Sequence, residues 1–174
     1  MQSYQVLALC IFILYASGVL GAVCRGSIAA FPVAFAVLCA AALGEFTFGA
    51  RPELSFRAGI AALPLLFLIY APEREYEMGG GAFALLFCCG MTLLLQRVEL
   101  LEDNAALVGV IGGCAAALLP HKPVTALAAA SGAPAVCVLL QSGLDMLLDG
   151  YTSCDLSSGE LLFSQMLALC VALV

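Results

Sequence analysis

Seven apolar segments, each nearly long enough to cross a lipid bilayer, follow one another along this 174-residue chain with only short polar joints between them. A hydrocarbon core of about 30 Å is crossed by roughly 20 helical residues. Hydrophobic residues make up 64% of the chain and charged residues 10%, whereas soluble domains contain roughly 45–50% and 25%. The segments are apolar all round the helix, which disfavours a soluble bundle. The sequence therefore predicts an integral membrane protein.

The segments predict an all-α fold, a polytopic transmembrane helical bundle of about seven spans. Lipid offers no partners to the backbone, and the segments lack the alternation of barrel strands, so each must be helical. The predicted spans are 4–23, 27–43, 54–71, 78–96, 105–119, 124–148 and 160–174. The fifth and seventh are short, which leaves six spans plus one short or re-entrant segment as an alternative.

The joints between the segments contain the proline, glycine and charged residues that break helices. They lie at 25–26, 49–53, 72–75, 102–104, 120–123 and 151–159. Because most joints are short, consecutive helices should be antiparallel neighbours. Residues 1–174 are therefore expected to form a single transmembrane domain without a separate soluble domain.

Two prolines, Pro64 and Pro134, lie inside the third and sixth predicted spans. Each removes a backbone donor and should kink its helix. Membrane helices tolerate such kinks when neighbouring helices bond to the freed carbonyl. The kinks are consistent with ordinary bundle shape and also with a hinge or a cavity wall.

The distribution of cations does not decide the orientation in the membrane. Seven spans place Arg25, Arg74 and Lys122 on one side and Arg51, Arg57 and Arg97 on the other. Since the first helix often dominates and Arg25 is its flanking cation, we expect the amino terminus outside and the carboxyl terminus in the cytoplasm.

Small residues form candidate helix-packing faces at Gly109 and Gly113 in the fifth span and at Gly132 in the sixth. Helices in lipid associate through close packing, which small residues permit. These faces would pack helices within one bundle or form a seam with a second copy or another membrane protein. The expected partners are therefore the lipid bilayer and other membrane helices, with no role for nucleic acid.

Gln141, Asp145 and Asp149 recur every four residues and so share one helical face near the end of the sixth span. Polar groups at membrane depth cost free energy unless they face protein or water. We expect at least one arginine on the same side, Arg51, Arg57 or Arg97, to pair with Asp145 or Asp149. The alternatives are a polar site that lines a cavity and, from the D-x-x-x-D spacing, a Mg²⁺-diphosphate site.

The residue inventory gives little support to an enzyme. The one histidine, His121, leaves no H-E-x-x-H pair, and Ser131 lacks the G-x-S-G pattern of intramembrane serine proteases. No C-x-x-C occurs among the nine cysteines, most of which should act as small buried hydrophobes. We expect no cofactor, no metal and no catalytic residue.

Two runs carry a resemblance to a known family. Residues 14–18 (LYASG), followed by Arg25, and residues 63–70 (LPLLFLIY), which end the third span, resemble the layout of small YphA-type membrane proteins of spore-forming bacteria. The likeness covers most of the chain in length and span order. It implies a bacterial inner membrane and a link to sporulation, and it supplies no site residues because that family has no established activity.

Two functions follow from these patterns. Short joints and abundant small-residue faces favour a non-enzymatic scaffold or assembly partner in a bacterial inner membrane. The alternative is a small transporter or ion-conducting subunit that uses the polar face of the sixth helix. A transporter requires a water-accessible cavity that reaches Asp145, whereas a scaffold does not.

Overall fold

A computed structural model describes residues 3–18, 30–44, 46–51, 54–70, 78–97, 105–120, 122–149, 154–156 and 158–173. Within these ranges the chain forms seven helices, one in each predicted segment, and the all-α class is confirmed. The helices are α1 (Ser3–Ala16), α2 (Ala30–Leu43), α3 (Ala58–Tyr70), α4 (Met78–Arg97), α5 (Ala105–Leu118), α6 (Pro123–Asp149) and α7 (Gly159–Leu173).

Two of the described helices are long and apolar enough to cross a membrane, over Met78–Leu95 in α4 and Pro123–Leu148 in α6. The other five have 13 to 15 residues, which at 1.5 Å per residue is about 20–22 Å. These helices fall short of a hydrocarbon core of about 30 Å. The number of spans therefore stays a prediction.

A small sheet occupies two of the predicted joints. Strands β1 (Thr47–Arg51) and β2 (Leu54–Arg57) form an antiparallel hairpin, and β3 (Cys154–Leu156) pairs with β2 in parallel. The third helix was predicted to begin at residue 54, but residues 54–57 are a strand and α3 begins at Ala58. The alternation of apolar and polar residues in Leu-Ser-Phe-Arg suits a strand, because successive side chains point to opposite faces.

Helices α5 and α7 run in the same direction. A Cβ atom added to Gly109 would lie 2.6 Å from the carbonyl oxygen of Ser164, and one added to Gly113 would lie 2.6 Å from Val171 Cβ. Positions later in α5 therefore meet positions later in α7.

Helices α4 and α6 are likewise parallel to each other. A Cβ atom added to Gly81 would lie 2.9 Å from Thr125 Cγ2, and the Sγ atoms of Cys89 and Cys137 are 3.2 Å apart. The pairing of β2 with β3 brings together the connections that follow α2 and α6. These contacts fit helices that reverse direction at each connection, and we call the end of the bundle that carries the sheet the sheet end.

The bundle is apolar on its outside and carries polar side chains in its interior. In the described part of the chain, 25 large hydrophobic side chains are exposed, among them Phe83, Leu86 and Leu147. The buried polar side chains are Thr92, Thr125, Ser131, Ser164 and Gln165. A soluble monomer rarely exposes a contiguous apolar patch above a few hundred Å², so this surface is suited to an apolar environment.

The packing of α4 on α6 can be tested by oxidation. In a variant that keeps only Cys89 and Cys137, their thiols are close enough that mild oxidation of the folded protein should form an intramolecular disulfide. Loss of labelling by a maleimide polymer, reversed by a reductant, measures the reaction. A variant that keeps only Cys114, which is exposed on α5, and Cys137 is the control. Equal oxidation of the two variants would contradict the observed packing.

Candidate functional site

A groove between α3, α4 and α6 has a volume of about 550 Å³. This volume lies within the roughly 300–1,000 Å³ of small-molecule sites. Small side chains form much of its wall, including Ala61, Gly81, Ala128 and Gly132. The smooth apolar wall suits a flexible hydrocarbon better than a polar solute.

Two polar side chains, Arg57 and Thr125, line this groove among the described residues. Arg57 ends β2 at the sheet end, and Thr125 lies in the first turn of α6. Because α6 rises 1.5 Å per residue, its lining positions from Thr125 to Leu139 extend over about 21 Å. The groove therefore has a long and almost wholly apolar wall that leads away from residue 57 at the sheet end.

Arg57 is held in place by contacts with α1 and with the end of α2. Its Nη1 atom donates to the carbonyl oxygen of Gly44 at 2.8 Å and to the hydroxyl of Tyr4 at 3.4 Å. The guanidinium carbon lies 5.8 Å from the centre of the Tyr4 ring, within the range of a cation–π interaction. These contacts direct the guanidinium toward α1 and the end of α2.

Gln165 of α7 connects α3 and α6, the two helices with an internal proline at positions 64 and 134. Its Nε2 atom donates to the carbonyl oxygens of Ile60 in α3 at 3.1 Å and Ser131 in α6 at 2.7 Å. The proline at position 64 has no N–H, so the carbonyl of Ile60, four residues earlier, has no donor within its own helix. Gln165 provides that donor.

On α6, Gln165 bonds close to the second internal proline. Pro134 lacks the N–H that would donate to the carbonyl oxygen of residue 130, and Ser131 is the next residue along the helix. The two N–H groups of one fully buried amide therefore bond to carbonyls near both internal prolines. At Ile60, whose donor is lost to Pro64, this is the compensation that the sequence predicts for a proline in an apolar helix.

The three glycines of the predicted packing faces lie in two different environments, a helix contact and the groove. Gly109 and Gly113 lie against α7, where a Cβ on Gly113 would come within 2.7 Å of the carbonyl oxygen of Ala168. Gly132 lines the groove instead, and a Cβ there would have Leu85 Cδ2 as its nearest neighbour at 4.0 Å. Gly132 therefore leaves space open rather than permitting close helix contact.

The predicted polar face lies away from the groove. Gln141 and Asp145 are exposed on the carboxyl-terminal part of α6, and neither lines the groove. Asp149 and Arg97 end α6 and α4, but their side chains lie outside the described residues. The ion pair between an aspartate and an arginine stays a prediction.

Sequence reasoning did not single out the roles of Arg57 and Gln165. In the sequence, Arg57 is one of the cations that set the orientation and a candidate partner of Asp145 or Asp149, and no pattern assigns a role to Gln165. The signal for Gln165 was present, because an amide within an apolar segment must find partners in protein or water. Its partners could not be read from the sequence, since Ile60 is 105 residues away.

Comparisons of the chain with known protein families, with characterised proteins and with solved structures find no match. The resemblance to YphA-type proteins therefore stays a prediction.

Replacing Gln165 with Leu should lower the free energy of unfolding by about 1–3 kcal/mol, because the Ile60 carbonyl is left buried without a donor. Replacing Pro64 with Ala returns an N–H to α3. We therefore expect Pro64→Ala to be more favourable in the Gln165→Leu background than in the wild type. Thermal unfolding of the four proteins in detergent gives the coupling, and strictly additive effects would contradict the assigned contact.

Replacing Gly113 with Ala should force α5 away from α7, since the new Cβ would meet both Val171 and the Ala168 carbonyl. Overpacking of this kind costs about 1–3 kcal/mol. Gly143→Ala on α6 is the matched control because nothing lies within 4 Å of its added Cβ, and there alanine should be neutral or stabilising by up to about 1 kcal/mol. Equal unfolding temperatures for the two variants would refute the packing at Gly113.

Proposed function

We propose that this chain is a multi-span integral membrane protein that acts as a non-enzymatic scaffold or assembly partner. The observation that carries the proposal is the distribution of polarity, with an apolar exterior and buried Gln165, Ser164 and Ser131. In water this arrangement would expose far more apolar surface than a monomer tolerates. In lipid it is the expected one, because the side chains of Gln165 and Ser131 bond to backbone carbonyls inside the bundle rather than facing hydrocarbon.

The alternating helix directions support a chain that crosses the membrane repeatedly. Joints that follow the second and sixth spans should share one side of a seven-span protein, and the strands in these two connections pair with each other. The proposal treats residues 1–174 as one transmembrane unit in a bacterial inner membrane, and it includes the link to sporulation that the YphA-type resemblance implies. The five shorter helices then require local thinning of the bilayer or tilted neighbours.

The scaffold role has more support than transport. A transporter built on the polar face of α6 needs a water-accessible cavity that reaches Asp145. The groove beside Pro64 is lined by apolar side chains together with Arg57 and Thr125, and Asp145 is not part of it. The close contacts of α5 with α7 at Gly109 and Gly113 are consistent with a structural role.

The topology can be mapped with reporter fusions. We expect alkaline phosphatase to be active when fused after residue 52, 99 or 152, and green fluorescent protein to fluoresce when fused after residue 25, 74 or 121. This alternation places the amino terminus outside. Two consecutive joints on the same side would replace the seven-span proposal with six spans and a re-entrant segment, and soluble fusions without detergent would overturn the membrane assignment.

The transport alternative can be tested in vesicles. Purified protein in liposomes should pass Na⁺, K⁺ and H⁺ no faster than empty vesicles, measured with ion-sensitive dyes. The double variant Asp145→Asn and Asp149→Asn should behave like the wild type. A wild-type flux that the double variant loses would make the protein a transporter or channel subunit and contradict the scaffold role.

A further inference from the structure

Three buried thiols meet where α4 packs on α6. The Sγ atom of Cys137 lies 3.2 Å from that of Cys89 and 3.8 Å from that of Cys88, and all three are free thiols. We propose that these cysteines form a redox-sensitive latch, in which a hydroperoxide oxidises Cys137 and Cys89 to a disulfide that ties α4 to α6. The inference depends neither on the scaffold role nor on the membrane location.

Cys137 is the sulfur that the two cysteines of α4 share. Cys88 and Cys89 are consecutive residues, so their Cα atoms are about 3.8 Å apart. That separation is below the roughly 4.4–6.8 Å usual for disulfides, and a bond between these two neighbours is therefore disfavoured. A disulfide in this cluster includes Cys137 and joins the two helices, with Cys89 as the nearer partner and Cys88 as the alternative.

The side chain of Thr92 holds the cluster together. Its hydroxyl donates to the carbonyl oxygens of Cys88 at 3.0 Å and Cys89 at 2.9 Å, and it lies 3.5 Å from the Sγ atom of Cys137. Partly buried apolar side chains pack against the three cysteines from α4, α5 and α6. Because the surroundings are closely packed, the short distances between the sulfur atoms follow from the packing of the helices.

The oxidation balances with one molecule of hydrogen peroxide. Cys137 is the most exposed of the three at 9%, against 3% for Cys89, and exposure favours oxidation. The sulfur of Cys137 attacks one peroxide oxygen, the O–O bond breaks, and the thiol proton leaves with the other oxygen as water. The resulting sulfenic acid condenses with the Cys89 thiol, so an S–S bond replaces the S–O bond and a second water leaves. Two thiols have then lost two electrons to the peroxide, and a dithiol reductant reverses the change.

The disulfide would change how firmly α4 and α6 are held together. In the reduced protein these helices are joined by packing contacts alone. A covalent bond between positions 48 residues apart restricts the unfolded chain and so stabilises the packed arrangement. The latch therefore couples the redox state of the surroundings to the freedom of α4 and α6 to separate.

Intact-mass spectrometry of the reduced, detergent-purified protein tests the chemistry. The variant to use keeps Cys88, Cys89 and Cys137 and has alanine in place of the other cysteines. After treatment with hydrogen peroxide and alkylation of the denatured chain, we expect two fewer alkylated thiols, with the bond between positions 89 and 137 in peptide maps. Dithiothreitol should restore alkylation of all three. A variant that keeps only Cys114, which is exposed on α5, shows that the peroxide is active. Sulfinic or sulfonic acids without a disulfide, or no reaction while Cys114 is oxidised, would overturn the latch.

Two single replacements in the three-cysteine variant test the shared sulfur. Cys137→Ala leaves the two neighbours on α4 and should form no disulfide. Cys89→Ala should still form one, between Cys88 and Cys137, but more slowly because these sulfur atoms start farther apart. Equal disulfide yield with and without Cys137 refutes its central role, and a folded Cys89→Ala variant that forms no disulfide contradicts the alternative pairing.

The unfolding temperature measures whether the bond fits the observed packing. Oxidation of the three-cysteine variant should raise this temperature by about 5 °C or more, since the disulfide constrains the unfolded chain. The Cys137→Ala variant, treated with peroxide in the same way, is the matched control and should be unchanged. A disulfide that leaves the unfolding temperature unaltered or lowers it would mean that the bond distorts the helix contact, and the proposed latch would be wrong.

Discussion

The buried amide of Gln165 is the contact on which the arrangement of the bundle depends. α3 and α6 each contain an internal proline, which leaves the helix short of a backbone donor. Gln165 donates to the carbonyls of Ile60 and Ser131, one near each proline. An unpaired carbonyl in an apolar interior costs about 1–3 kcal/mol, so these two helices and α7 must keep their relative positions. The groove is bounded on two sides by these same helices.

Close packing of small residues complements this polar contact. Gly109 and Gly113 allow α5 to approach the backbone of α7, and Gly59 allows α3 to approach the Ala40 carbonyl of α2. Membrane helices gain little from the hydrophobic effect once they are in lipid, so van der Waals contact and buried hydrogen bonds must hold them together. Gly132 differs from these glycines, because its missing side chain contributes to an open groove rather than to a helix contact.

The sheet lies at one end of the bundle. Its strands β2 and β3 join the connections that follow α2 and α6. Arg57, the last residue of β2, donates hydrogen bonds to Tyr4 and Gly44. The junction of β2 with α3 is also where the structure departs from the helix that the sequence predicted.

The sequence by itself determined the helical class and the seven helical segments, with bounds within four residues of those observed except for the first, which was predicted to end at residue 23 but ends at Ala16. It also identified the internal prolines of α3 and α6 and the packing glycines at positions 109 and 113. These follow from local properties: length of apolar runs, helix breakers and side-chain size. Only the tertiary structure decided that Gln165 meets Ile60, 105 residues away, and that Arg57 meets Tyr4, 53 residues away. The physical reason is that these helices are apolar all round, so no periodic polar face marks which side turns inward. Shape and a few buried polar groups decide the packing, and neither can be read from one segment alone.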